Sequence, residues 1–223
     1  MSKQVSRNSN RPAGVDKPSH LSSQMQMDDM AAPSDVDVGE SGEIEYLPNG
    51  LPKNYNSMAR PGVPDGSDPS NPVIVYADGV FDMYHVGHAK VLEQAKKLFK
   101  HTYLIVGVSG DKETIEKKGK IVMNEKERCE ILEHCKWVDE VLCPCPWILT
   151  VPFLKEKGIH YVAHDDLPYG SVGQQDIYFE VKKNLMFRAT QRTEGISTSD
   201  IILRLIKDYD MYVQRSFERG YKR

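Results

Sequence analysis

A chain of 223 residues is long enough for one domain of ordinary size with length to spare, since domains commonly run about 100–200 residues. Its 29 Lys and Arg against 32 Asp and Glu leave a net charge of −3, so nothing in bulk asks for a polyanionic partner such as nucleic acid, and any basic site must be local. The N-terminus has no apolar signal core and the longest apolar stretch, YLIVGV at 103–108, falls far short of the roughly 20 residues that span a bilayer, which excludes a membrane-spanning helix and predicts a cytoplasmic or nuclear location.

Residues 1–70 carry 8 of the 13 prolines, many serines, and 10 acidic against 6 basic residues, with scarcely a run of apolar positions. Such a segment buries too little surface to offset its ordering entropy, and is read as a disordered tail ahead of a domain over 71–223. The four cysteines, at 129, 135, 143 and 145, lack the paired spacing of a zinc site, so no protein-held metal is expected and reduced thiols are.

From Pro72 the character changes. VIVYA (73–77) and YLIVGV read as buried strands, being short, rich in β-branched residues and bounded by turn formers. Between them GHAKVLEQAKKLF places apolar residues at 89, 91, 92, 95, 98 and 99, a helical spacing, so the unit is βαβ and its strands parallel. Asn124 with Glu127 three residues on predicts a capped helix over EKERCEILEHC. A strand at EVLCP, a short helix from Thr150, a strand at HYVAH (160–164), a helix over QDIYFEVKKNL and an extended piece at FRATQ follow. Ser197 then caps one long amphipathic helix with Ile202, Leu205, Ile206, Tyr209 and Val213 on one side. The alternation predicts an α/β doubly wound, Rossmann-like fold, a mostly parallel sheet with helices on both faces.

In such sheets ligands lie outside the carboxyl ends of the strands. DGVFDMYHVGH, at 78–88, is the first of those loops. It brings backbone N–H groups and a helix N-terminus to one point, a ready site for phosphate. Gly79 and Gly87 let the backbone approach a ligand, and His85 and His88, three apart, share a helix face and can donate to the same oxygens. A bare HxxH is too short to be specific, and Asp82 is open between pocket residue and turn former.

HxGH directly after a strand resembles the signature of the nucleotidylyltransferase superfamily. With HDDLPY and QRTEGISTSD in addition, the chain is similar to the eukaryotic choline-phosphate cytidylyltransferases over roughly residues 73–221. That resemblance implies transfer of a cytidylyl group from CTP, carried with Mg2+, to phosphocholine, giving CDP-choline and pyrophosphate for phospholipid synthesis. It implies catalytic roles for His85, His88 and Lys118. A KKGK loop is by composition a solvated basic turn, and charge does not choose among Lys117, Lys118 and Lys120; the resemblance selects Lys118. It places Asp78, Gly79, Val80 and Phe81 with Arg192, Thr193, Gly195, Ile196, Ser197 and Thr198 around the nucleotide. It places Trp147, His164, Asp165, Tyr169, Tyr178 and Gln191 around phosphocholine. A carboxylate among aromatic rings suits a trimethylammonium, which cannot donate hydrogen bonds.

The resemblance also implies a homodimer through the segment KWVDE (136–140), where the family commonly carries Arg in place of Lys136, the planar fork that Lys lacks. No amphipathic membrane segment follows Arg223, so membrane contact is reserved for a longer natural form and little activation by lipid is expected. The rivals are a transferase for phosphoethanolamine or glycerol phosphate, and a binding protein that kept the fold without the chemistry.

Overall fold

A computed structural model describes residues 44–167 and 176–222. Val73–Gly79 (β1) and Thr102–Ser109 (β2) pair in parallel along their whole lengths, from Val73 with Thr102 to Gly79 with Val108. The helix between them, Val86–Lys96 (α1), completes the βαβ unit. Asp111–Lys118 (α2) and Glu125–Glu133 (α3) lead to Glu140–Cys145 (β3) beside β2. The chain then returns across the sheet through Val151–Glu156 (α4) to Tyr161–Asp165 (β4), which pairs with the other side of β1. Phe179–Lys183 (α5) and Phe187–Thr190 (β5) finish a five-stranded parallel sheet of order β3-β2-β1-β4-β5.

Alternate strand residues supply two cores, as a sheet covered on both faces requires. Val73, Val75, Ala77, Leu104, Val106 and Val108 pack with Leu92 and Ala95 of α1 and Cys129 and Leu132 of α3. Tyr76, Ile105 and Val162 face the opposite way, against Leu154 of α4 and Val181 of α5. The doubly wound architecture is therefore the one expected.

Four expectations need correction. Residues 44–70, read as part of a disordered tail, pack on the domain. Arg60 donates to the His160 carbonyl at 2.6 Å, Arg188 donates to the Met58 carbonyl at 2.8 Å, and the Asn56 side chain accepts the N–H of Ala189 at 2.5 Å. The last of these engages the outer edge of β5, whose open N–H and C=O groups need partners. The segment also buries Leu51 and packs Val63 and Tyr55 against the two cores, scattered apolar positions that announce no periodicity; residues 1–43 lie outside the described residues.

The helix expected over QDIYFEVKKNL is confined to five residues, and the single helix after Ser197 is two, Thr198–Lys207 (α6) and Tyr209–Glu218 (α7), meeting at Asp208 with φ −111° and ψ 22°. No residue of α6 or α7 is buried, so their apolar side does not join the core. The thiols are not all reduced: Cys129 on the inner side of α3 and Cys143 on β3 form a disulfide across 6.4 Å between Cα atoms, while Cys135 and Cys145 are free. Among the described residues no helix is long and apolar enough to cross a membrane.

Candidate active site

From β1 the chain winds one way to β2 and later returns past it to β4, so the loops leaving the carboxyl ends of β1 and β4 part and open a crevice between them. DGVFDMYHVGH enters that crevice from β1. Phe81 and Met83 are left-handed, with φ 56° and 48°, which folds the loop back sharply before α1.

His85 is the N-cap of α1 and His88 its third residue, and each imidazole takes the place of the usual capping side chain. His85 Nδ1 accepts the Gly87 N–H at 3.0 Å, and His88 Nδ1 accepts the N–H of His85 at 3.4 Å. With both Nδ1 atoms accepting, a neutral ring carries its proton on Nε2, so the two rings present N–H donors. They stack at 3.9 Å between centroids, with Phe81 and Tyr84 around His88 at 5.4 and 5.8 Å.

Burial, reinforced by the adjacent His85, pushes the His88 ring down to about 4, and burial with the nearby Arg204 lowers His85. Both imidazoles are neutral at pH 7 in the absence of an anion. The unfolded chain binds a proton at His88 near pH 6.5 and the fold only near 4, so stability is full above the first value and falls as pH drops toward the second. The loss attached to His88 is up to about 3 kcal/mol. Chemical denaturation of the wild type and of His88→Gln at pH 7 and pH 4 measures it; an equal acid loss in both proteins would contradict the burial of that ring.

Gly87 is needed for space. A Cβ there would lie 2.8 Å from Cε1 and 2.9 Å from Nδ1 of His85, with Ile196 Cγ2 at 3.2 Å on the other side. Gly87→Ala is expected to shift the His85 ring by a fraction of an ångström and lower kcat on the order of 10-fold, part of the roughly 10²-fold attached to a 1 Å misplacement. Steady-state kinetics with an unchanged circular-dichroism spectrum would carry the point; unchanged kcat would refute it.

Lys118 ends α2, and Gly119, with φ 102°, turns the chain away. Its Nζ stands 5.7 Å from the centre of the Trp147 ring, and its charge is felt by both His88 and Asp78. Burial pushes the Asp78 carboxyl up, against the pull of His164, the Tyr178 hydroxyl and Lys118. The Tyr178 hydroxyl donates to Asp78 Oδ2 at 3.0 Å, while Oδ1 is shut away from solvent without a hydrogen-bond partner.

The second signature folds onto the first. Gly195 is left-handed at φ 73°, Ser197 caps α6 by accepting the N–H of Asp200 at 3.1 Å, and the Thr198 hydroxyl donates to the Asp82 carbonyl at 3.0 Å. Arg192 Nε lies 3.9 Å from Asp165 Oδ2, so the signature also reaches the carboxyl end of β4. The backbone of Gln191 is paired in both directions with the Gln94 side-chain amide, at 2.9 and 3.0 Å. Thr193 is half-buried beside it.

Around Asp165 the arrangement differs in part from an open aromatic cage. Asp165 Oδ2 is 3.9 Å from His164 Nδ1. The Tyr178 ring is 2% exposed, stacked on His164 at 4.6 Å and tilted against Phe187 at 5.8 Å, so it serves the site as the partner of Asp78 and His164. Trp147 and Asp165 are half-buried, and Tyr169 lies outside the described residues.

Two residues that the motif reading left aside also shape the site. Arg128, fully buried, donates to the Val80 carbonyl at 2.6 Å, the Ser109 carbonyl at 2.8 Å and Asp111 Oδ1 at 2.7 Å. Asp82 accepts the N–H groups of Val122 and Met123 at 2.9 and 2.8 Å. An arginine inside an otherwise amphipathic helix gives no sequence signal of its own; only the partners do.

The model of the family described as cytidylyltransferase-like matches residues 76–204. The chain is 51% identical over 181 residues to choline-phosphate cytidylyltransferase A of Homo sapiens, covering 81% of this chain and 48% of that protein. It is 50% identical over 185 residues to choline-phosphate cytidylyltransferase of Saccharomyces cerevisiae, covering 82% of this chain and 43% of that protein. Ethanolamine-phosphate cytidylyltransferase of Dictyostelium discoideum is 41% identical over 136 residues, 60% of this chain and 37% of that protein. The chain thus spans less than half the length of these curated relatives.

Proposed function

The chain belongs to the cytidylyltransferase-like family, and from that premise we propose that it transfers the cytidylyl group of CTP to phosphocholine, releasing CDP-choline and pyrophosphate. An oxygen of the phosphocholine phosphate forms the new bond to the α-phosphorus of CTP. The bond from that phosphorus to the bridging α–β oxygen breaks, and its electron pair leaves with pyrophosphate. The attacking phosphate is already ionised, so no general base is needed, and the barrier falls through placement and charge stabilisation. The observation that carries the reading is the place of Lys118, with Trp147 against its ammonium on one side and His88 and Asp78 within its field on the other. An ammonium there can bridge the phosphates of two substrates, one from each half of the crevice.

His85 and His88 are suited to donate from Nε2 to triphosphate oxygens, and the basic side chain of Arg192 with the start of α6 supports the leaving pyrophosphate. Asp165 and Trp147 supply the carboxylate and ring face that a quaternary ammonium needs. Greater identity to relatives named for choline than to one named for ethanolamine supports that headgroup. CTP would enter with Mg2+, a hard cation that takes oxygen ligands such as those of the triphosphate. The same reading includes a second copy of the chain against 136–140, where Trp137 carries Lys136 and Lys97 over its ring, and a cytoplasmic or nuclear location.

A matrix of four nucleoside triphosphates against phosphocholine, phosphoethanolamine and glycerol phosphate, read by pyrophosphate release, tests the proposal. CTP with phosphocholine should turn over at least about 10-fold faster than any other pair, the ratio that one lost ring contact of about 1.4 kcal/mol gives. Silence across the matrix, or preference for phosphoethanolamine, would overturn it.

A further inference from the structure

Three separate parts of the site meet at Asp82. It sits between the two left-handed residues Phe81 and Met83, a strained turn that persists only where its surroundings determine it. Its side chain is buried, at 6% exposure, and both carboxylate oxygens are used: Oδ2 by the N–H of Val122 at 2.9 Å, Oδ1 by the N–H of Met123 at 2.8 Å. Its own carbonyl accepts the Thr198 hydroxyl at 3.0 Å. One residue of the histidine loop thus holds the second signature through its backbone and the segment after Lys118 through its side chain.

That segment is fixed at two points only a few residues either side of the lysine. At its start, buried Arg128 ties Asp111 to the Val80 carbonyl. At its end, Asp82 ties Val122 and Met123, four and five residues past Lys118 and just before the Asn124 cap of α3. Between the anchors lie α2, exposed over its last turn, and left-handed Gly119. A lysine ammonium on a four-carbon stem is placed no better than the backbone that carries it.

We propose that Asp82 is a positioning residue for the reaction: its carboxylate registers the Lys118 segment against the histidine loop, so that ammonium and imidazoles converge on one phosphate. The inference rests on the catalytic reading of Lys118 given above. Asparagine at 82 keeps one acceptor and turns an N–H2 group toward the other backbone N–H, which breaks one of the two bonds. Glutamate keeps both acceptors and sets them one methylene further out.

The test is a double-mutant cycle with Lys118→Ala, in which kcat and both KM values are measured, joined to amide hydrogen exchange at Val122 and Met123. Asp82→Asn should lower kcat by roughly 10- to 100-fold, leave KM for CTP and for phosphocholine within about 3-fold, and speed exchange at the amide that loses its acceptor. In the Lys118→Ala background the same substitution should cost no more than about 2-fold, because the group it positions is gone. Equal losses in the two backgrounds, unchanged kcat in a folded Asp82→Asn, or amides that stay protected would each overturn the proposal. Should Asp82→Asn fail to fold, Asp82→Glu enters the same cycle with the same criteria. A wild-type chain that releases no pyrophosphate from CTP and phosphocholine sinks the proposed function and the lysine's part with it; an active wild type with an indifferent Asp82 sinks this inference alone.

Discussion

Lys118→Ala is expected to lower kcat on the order of 10³-fold, at the upper end of the 10²- to 10³-fold range seen when one preorganised donor is removed, because this donor also carries a full charge. The ammonium stands over Trp147 and within the field of His88, and Gly119 turns the chain immediately after it. The fold should survive, since Lys118 is exposed and its helix is held at the other end by the Arg128 clamp on Asp111. Lys118→Arg should recover little, as a planar fork does not reproduce a compact point charge. Pyrophosphate release in single-turnover experiments separates the chemical step from binding. A folded Lys118→Ala enzyme within 10-fold of wild-type kcat would remove this residue from the mechanism and return the question to Lys117 and Lys120.

His88→Ala comes second, with an expected loss in kcat of about 10²-fold or more. The ring is held on all sides: the His85 N–H on Nδ1, the stacked His85 ring at 3.9 Å, and Phe81 and Tyr84 beyond. Little reorganisation is left for the moment of reaction, which is the condition under which a neutral N–H donor is worth most. Because burial keeps the ring neutral down to about pH 4, the free enzyme should show no loss of kcat/KM attributable to this ring between pH 6 and 8. His88→Asn, which keeps a donor on a shorter arm, should fall between wild type and alanine. A folded alanine variant with near-wild-type kcat, or a kcat/KM profile that drops steeply below pH 7 in the wild type and not in the variant, would contradict the assignment.

Most of the strand and helix pattern was legible because it rests on burial. β1 and β2 are runs of β-branched residues, and the Asn124 and Ser197 caps declare themselves by one polar side chain three residues ahead of another. α2 was not predicted: DKETIEKK has one buried residue, Thr114, so no apolar stripe marks it. Its signal was the weaker one of charge, acidic at the start and basic at the end, closed by Gly119. The histidines, Lys118 and Arg192 were picked out by resemblance rather than by charge or spacing alone; Lys118 lies within the field of His88 and Asp78, and Arg192 lies beside Asp165. Asp82 was left open and Arg128 missed for the same reason: their side chains are held mostly by backbone groups 19 to 48 residues away, and a main-chain carbonyl or N–H has no letter in the sequence. Tyr178 was read as a ring face, and its hydroxyl bond to Asp78 could not be foreseen from position alone.

The edge cover contributed by residues 44–70 bears on how the domain can be cut. Tyr55 donates to both oxygens of Asp166, at 2.7 and 2.6 Å, and Asp166 shares the ammonium of nearly buried Lys182 with Asp176, at 2.9 and 2.7 Å. Those two carboxylates stand on either side of the residues that lead from the HDD motif to α5, next to Asp165. A boundary drawn at residue 71, where the apolar pattern begins, would remove the phenol from that ion cluster, the Asn56 acceptor from β5 and the Met58 carbonyl from Arg188 in one stroke. The half of the crevice built on β4 and β5 would lose its outer support, and the half built on β1 and β2 would lose Val63 from its core and the Gly66 carbonyl that accepts the His101 N–H. The smallest unit that holds both halves alike therefore reaches back beyond Tyr55, into sequence whose composition alone would have been trimmed away.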